Sequence, residues 1–211
     1  MKLYFVRHAE SEANVTNEFS NKNPTKHPLT AKGRAQAHAL ADQLRDVDFA
    51  AIYSSPLLRA VQTAQILNTH LHLEIHITDA LREHDAGDLE GRADPEAWQQ
   101  YADCIRTWYV ERDLDARVPG GESFNELAAR FMPFFSDLVE KYDGTDVNIL
   151  LVTHGGILHL MLPLVTKNID PEFSYTNILK NAALIITEQQ LNNFFCLAWD
   201  GIELSPQRIS S

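Results

Sequence analysis

The sequence predicts an α/β fold with three layers, in which helices cover both faces of a mostly parallel central sheet. Three observations predict it. Residues 3–6, 49–54 and 147–152 are short, continuous apolar runs, as strands covered on both faces require. The segments between them repeat apolar residues at helical spacing, which marks helices with one buried face. Strands that alternate with helices pair in parallel, because each connecting helix carries the chain back along the sheet.

Each element has its own signal. Residues 3–6 form the first strand, and the polar, Asn-rich stretch 14–28 reads as a loop. Thr30 then stands as a helix N-cap, with Gly33, Ala37, Leu40, Ala41 and Leu44 on the buried face. Residues 49–54 form the second strand. Ser55-Pro56 reads as an N-cap followed by proline in the first turn, with Leu57, Val61, Ala64 and Leu67 as the inward stripe. A small cap insertion is expected around 84–120, where Trp98, Tyr101, Ile105 and Trp108 keep helical spacing between loop-like flanks. Ser123 and Glu126 form a capping box that opens a long helix. Its core stripe is Leu127, Phe131, Phe134, Leu138 and Tyr142, and Pro133 should kink it. The strand at 147–152 leads into an apolar helix from Ile157. Residues 183–187 and 194–199 read as two strands joined by a turn at Asn192-Asn193.

The chain has 211 residues, 45% of them apolar, which suits a single domain spanning 1–211. A net charge of −11 repels phosphate backbones and argues against a nucleic-acid partner. No stretch reaches transmembrane length, and the opening apolar run is too short for a signal-peptide core. No membrane association and a cytoplasmic location are therefore expected. Cys104 and Cys196 are far apart and read as reduced thiols.

In such sheets, ligands bind beyond the carboxyl ends of the strands. The first strand ends there in Arg7-His8. The second leads into Ser54-Ser55-Pro56 and, one turn later, Arg59. The third ends in Thr153-His154-Gly155-Gly156. Taken singly, each is ordinary: a hydrogen-bonded histidine, a solvated arginine. Together, two arginines and two histidines come to one edge of the sheet, and such a cluster suits a phosphate. The guanidinium fork matches two phosphate oxygens. The Gly155-Gly156 helix start is expected to add backbone N–H donors. Arginines beside the histidines would repel a cation, so no metal is expected.

The segment RHAESEAN at 7–14 resembles the signature of the histidine phosphatase superfamily, the phosphoglycerate mutase-like family. The resemblance continues in order through LTAKGRAQA (29–37), YSSPLLRAVQTA (53–64), LREHDAGDLEG (81–91), PGGES (119–123) and LLVTHGG (150–156), and it covers nearly the whole chain. It implies a phosphoglycerate mutase-like fold and the phosphatase branch of the family. It implies that His8 is the nucleophile that becomes phosphohistidine. Arg7, Arg59 and a protonated His154 are implied as ligands of the phosphoryl oxygens, with Asn14 as a further phosphate ligand. Glu83 is implied as the proton donor to the leaving group, and only the resemblance selects it over Asp85, Asp88 and Glu90. Asn181, just before a strand, matches less closely. The activity so implied is a metal-independent, cofactor-free phosphatase acting on a small phosphomonoester. His84 reads as a pocket-rim residue, and His70, His72 and His76 read as solvated.

The chain departs from the family pattern at three places. Ala9 follows the nucleophile where glycine is commonest, the loop from Ser20 to His27 differs, and Leu89 replaces a frequent tryptophan. The loop bears on leaving-group recognition and Leu89 on cap packing. Two other functions use the same fold. A cofactor-dependent phosphoglycerate mutase carries a longer insertion with adjacent arginines. Here the segment between Glu83 and His154 is short, and Arg92, Arg106, Arg112 and Arg117 are dispersed, which favours hydrolysis. A non-catalytic interaction protein should have lost part of the constellation, whereas Arg7, His8, Arg59, Glu83 and His154 are all present.

Overall fold

The apolar runs become the centre of one sheet in the computed structural model, which describes residues 1–205. Its strands are β1 (Lys2–Arg7), β2 (Phe49–Ser54), β3 (Ile75–Ile77), β4 (Asn148–Thr153), β5 (Leu184–Gln190), β6 (Asn193–Trp199) and β7 (Ile202–Glu203). The order across the sheet is β3-β2-β4-β1-β5-β6-β7. The pairs β1–β4, β2–β4 and β2–β3 are parallel, and β5, β6 and β7 extend the β1 edge as an antiparallel meander.

Period-two alternation sorts the strands onto two cores. In β4, Ile149 and Leu151 face one side with Leu3, Phe5 and Ile185, while Leu150 and Val152 face the other with Val6 and Ile52. The first face is covered by α5 (Phe124–Lys141) and α6 (Gly155–Val165). The second is covered by α2 (Ala31–Gln43) and α3 (Leu58–Leu67). The three-layer arrangement follows. Thr30 caps α2 by accepting from the Gly33 N–H at 2.9 Å, and the Ser123–Glu126 capping box opens α5. Cys104 and Cys196 are free thiols.

The cap is α4 (Pro95–Arg106), continued by a π-helical turn over Thr107–Glu111. It packs through its own cluster of Phe19, Ala86, Leu89, Ala97 and Val118. Trp98 stacks on Phe19 at 4.1 Å between ring centroids. Leu89 is buried in this cluster, so its effect is on cap packing.

Several local expectations are corrected. The stretch 14–28 is not all loop, because α1 (Glu12–Thr16) forms across its start, where Asn14 accepts from the Ser11 N–H at 3.0 Å. Leu57, not Ser55, is the N-cap of α3, and Ser55 Oγ instead accepts from the Leu57 N–H at 3.3 Å. Val61 is only half-buried, and Ala60 takes its place on the inner face of α3. Phe135 rather than Phe134 is buried in α5, which runs unbroken through the exposed Pro133. The final hairpin turns at residues 191–192, with Leu191 in the left-handed region at φ 55. β3 and β7 are short and largely exposed and had no distinct sequence signal, while α7 (Pro171–Thr176) is marked only by Asp170 as its N-cap and Pro171 in its first turn.

Candidate active site

Sheet register brings the reactive residues together. Arg7 pairs with Thr153 and Ser54 with Val152, so the carboxyl ends of β2, β4 and β1 lie side by side. Backbone bonds continue past the strands: His8 N donates to Thr153 O at 2.8 Å and Ser55 N to Val152 O at 3.0 Å. Residues from three distant stretches of chain are thereby held at one edge.

His8 is 3% exposed. Its Nδ1 lies 2.8 Å from the carbonyl of Ala9, which can only accept, so the proton belongs on Nδ1. Nε2 is then a lone pair, and Arg59 Nε donates to it at 3.1 Å. Burial first, then the charges of Arg59 and Arg7, hold the imidazole well below its usual pKa, so it is neutral. Ala9 N donates to Thr63 Oγ1 at 3.1 Å, four residues along α3 from Arg59 on the same face.

Arg59 is 4% exposed. Burial pushes its pKa down to about 10, which leaves it charged near neutrality. The other two guanidinium nitrogens are held by the loop: Nη1 donates to Ser20 O at 2.7 Å and Nη2 to Asn21 Oδ1 at 3.2 Å. The segment that departs most from the family pattern is therefore wrapped directly around this arginine. Arg7 donates through Nη1 to Leu179 O. Burial lowers the Arg7 pKa, against the opposing charges of Glu83 and Asp200.

His154 is fully buried, with its ring centroid 5.0 Å from that of His8. Its Nε2 lies 2.6 Å from Ser55 Oγ. Burial, then Arg59 and His8, drive its pKa well below the usual value, so here it is neutral rather than protonated. His154 Nδ1 and Arg7 Nε are both buried without a hydrogen-bond partner among the described residues. Unpaired polar atoms beside a nucleophile are costly unless a ligand satisfies them.

Glu83 sits on the amino end of α6. Its Oε2 accepts from Gly156 N at 2.9 Å, and its Oε1 accepts from Ile157 N and His84 N, each at 2.9 Å. The Gly156 N–H, expected to serve a phosphate, is instead taken by the carboxylate, together with that of Ile157. The glycines leave room for the neighbouring side chains. A Cβ on Gly156 would lie 2.6 Å from Glu83 Oε1, and one on Gly155 would lie 3.3 Å from Arg7 Nε. The competing acids are engaged elsewhere or face away. Asp85 accepts from Gly87 N at 2.8 Å, Glu90 accepts from Asn21 N at 2.8 Å, and Asp88 is exposed.

Asn14 Oδ1 is within reach of Ser11 Oγ at 3.1 Å and Asn181 Nδ2 at 3.1 Å. Asn181 Nδ2 also lies 3.4 Å from His8 O, so both asparagines border the nucleophile. His84 is not on the rim. It is fully buried, its Nε2–H donates to Glu122 O at 2.8 Å, and its ring meets Trp108 edge-on at 5.1 Å. His70, His72 and His76 are exposed, as their spacing in a polar stretch suggests.

Sequence reasoning missed a clip behind Glu83. Arg130 of α5 bonds Glu122 through Nε at 2.7 Å and donates to the carbonyls of Arg82 at 2.8 Å and Glu83 at 3.2 Å. Its only local signal was a charged residue on the half-buried flank of an otherwise amphipathic helix.

A family profile for the histidine phosphatase superfamily (branch 1) matches residues 3–201. An uncharacterized phosphatase, PhoE, of Bacillus subtilis is 34% identical over 85% of this chain and 83% of its own length. A 2,3-bisphosphoglycerate-dependent phosphoglycerate mutase of Gloeobacter violaceus is 32% identical over 81% of this chain and 77% of its own. The solved structure of Bacillus stearothermophilus YhfR superposes with a TM-score of 0.79 at 28% identity, covering 97% of this chain and 98% of that one.

Proposed function

This chain belongs to branch 1 of the histidine phosphatase superfamily, and on that premise we propose that it is a metal-independent phosphatase of small phosphomonoesters, working through a phosphohistidine on His8. The observation that carries the reading is the fixed tautomer of His8. Its Nδ1 is committed to Ala9 O at 2.8 Å, and a lone pair on Nε2 is presented among Arg59, Arg7 and His154.

In this mechanism the His8 Nε2 lone pair forms the N–P bond as the P–O bond of the ester breaks. Charge spreads over the equatorial oxygens, where Arg7 and Arg59 stabilise it. Arg59 Nε turns from Nε2 to a phosphoryl oxygen as the bond forms. His154 donates to another oxygen, and the arriving dianion favours its protonated form. Asn14 reaches a further oxygen. A protonated Glu83 gives its proton to the leaving oxygen. Water then attacks phosphorus and Glu83 takes the proton back. The N–P bond breaks, releasing inorganic phosphate and neutral His8. The fixed cations do the neutralising, so the scheme needs no metal or other cofactor.

Hydrolysis is favoured over phosphoryl exchange because the arginines between Glu83 and His154 are largely tied up at the surface. Arg92 pairs with Asp94, Arg106 with Glu111 and Arg117 with Glu126. Among the described residues no helix is long and apolar enough to cross a membrane, and in this reading the enzyme works in the cytoplasm. Rapid quenching during turnover of a radiolabelled ester tests the reading. An acid-labile, base-stable label is expected on His8, with loss of about 10³-fold or more in kcat for His8→Ala. Turnover without such an adduct would show that the nucleophile is something else.

A further inference from the structure

Beside the reacting groups lies a cavity of about 370 Å³ whose chemistry is one-sided. Its walls include Trp98, Tyr101 and Ile105 of α4, His159 and Leu160 of α6, and Ile178 after α7. One of its lining residues touches the proposed acid: the Gly156 N–H donates to Glu83 Oε2 at 2.9 Å. Arg7 anchors a neighbouring wall, because its Nη1 bonds the carbonyl of Leu179, next to Ile178. An alcohol oxygen that takes its proton from Glu83 would therefore leave beside the wall that Gly156 forms.

Among the described residues, no lysine, arginine, aspartate or glutamate lines the chamber. Its one imidazole, His159, is engaged at both nitrogens: Nδ1 with Ser174 Oγ at 3.2 Å, and Nε2 accepting from Leu179 N at 3.5 Å. Burial also holds it neutral. Charge first appears in an outer groove of about 650 Å³ that shares Ala102, Ile105, Tyr109 and Tyr175 with the chamber. There Arg106 is paired with Glu111 at 3.1 Å, and Arg112 lies in the outer groove, outside the chamber, among the acids Asp103, Asp170 and Glu172. An anionic group beside the ester oxygen would lose its water in the chamber without gaining a counter-charge. An aromatic or aliphatic group would displace water from apolar walls and meet the Trp98 and Tyr101 rings.

We propose that this chamber receives the leaving group, and that the substrates are phosphomonoesters whose alcohol carries an uncharged apolar or aromatic body next to the ester oxygen. The proposal rests on the phosphatase reading, and the test separates the two.

Ethyl, benzyl and 2-naphthylmethyl phosphate leave as alcohols of similar acidity but differ in apolar bulk. From the first to the last, kcat/KM is expected to rise about 10–100-fold, with 3-phosphoglycerate below benzyl phosphate. Ala102 lines the chamber from α4, and both Glu and Leu suit a helix there. Ala102→Glu should lower the naphthylmethyl-to-ethyl ratio by about tenfold, and more than Ala102→Leu does, which separates charge from bulk. Binding of 2-naphthylmethylphosphonate and ethylphosphonate, measured by calorimetry on the intact protein, reads the chamber without turnover. The naphthyl compound should bind about tenfold or more tightly. Equal binding, a flat series, or a preference for phosphoglycerate overturns the chamber assignment and leaves hydrolysis standing. Tight naphthyl binding with no ester hydrolysed supports the chamber and overturns the phosphatase reading.

Discussion

At His8, burial and two guanidiniums act in the same direction: each disfavours the imidazolium, and the Ala9 carbonyl fixes which nitrogen keeps the proton. Glu83 is held differently, by three backbone N–H groups that orient both its oxygens. The two residues therefore supply separable parts of the reaction. Replacing Glu83 with Gln removes the transferable proton but also opposes an amide N–H₂ to backbone donors, so lost activity alone would not identify its role. Dependence on the leaving group does. For ethyl phosphate, whose alkoxide needs a proton, Glu83→Gln should lower kcat by about 10²–10⁴-fold. For 4-nitrophenyl phosphate, whose phenolate leaves unaided, the loss should be far smaller. Equal losses on both esters, measured side by side, would assign Glu83 a purely structural role.

Two elements hold Glu83 in place: the amino end of α6, and the Arg130–Glu122 clip reaching from α5. Gly156 matters for steric reasons, since a Cβ there would meet Glu83 Oε1 at 2.6 Å. Gly156→Ala should therefore displace the carboxylate and cost about 10²-fold in kcat on an alkyl ester. The folded state should change little, because alanine gains about 0.5–1 kcal/mol of helix preference against the contact. Thermal melting and steady-state kinetics on the same sample check both halves. This site also shows what the sequence discloses and what it hides. Thr30 and the Ser123–Glu126 box were legible because caps are local, and the strand ends were legible because β1, β2 and β4 are buried on both faces. The wrapping of Arg59 by Ser20 and Asn21 was not, since those partners lie 39 and 38 residues away and no periodicity links them. The burial of His84 was hidden for the same reason: its partner Glu122 comes from the far end of the cap insertion. The Gly155-Gly156 start of α6 is visible in the sequence, but nothing local shows that the Glu83 carboxylate, 73 residues away, takes the Gly156 N–H.

Across the described residues, the core that builds the site also buries three imidazoles, His8, His84 and His154, and half-buries a fourth, His159. In each, burial is the largest cause of a pKa lowered from the ordinary 6.5. In the unfolded chain these groups take up protons as the pH falls through about 6.5, while in the folded chain they resist. The unfolded state then binds more protons, so stability rises with pH in that window. Their contribution is fully present above about 6.5 and is lost as the pH falls toward the lowered folded values. Each imidazole adds a slope of up to about 1.4 kcal/mol per pH unit while only the unfolded form is protonated. Carboxylates whose folded pKa is depressed, such as Glu122, act in the same direction but only nearer 4.5. The interval between pH 6.5 and 5 therefore isolates the histidines. Urea midpoints measured across it should fall steadily, and His159→Gln should make that fall shallower by one imidazole's share. A midpoint flat from pH 7 to 5 would mean that these four rings accept protons inside the folded protein, and that His8 is not held as the neutral nucleophile the site requires.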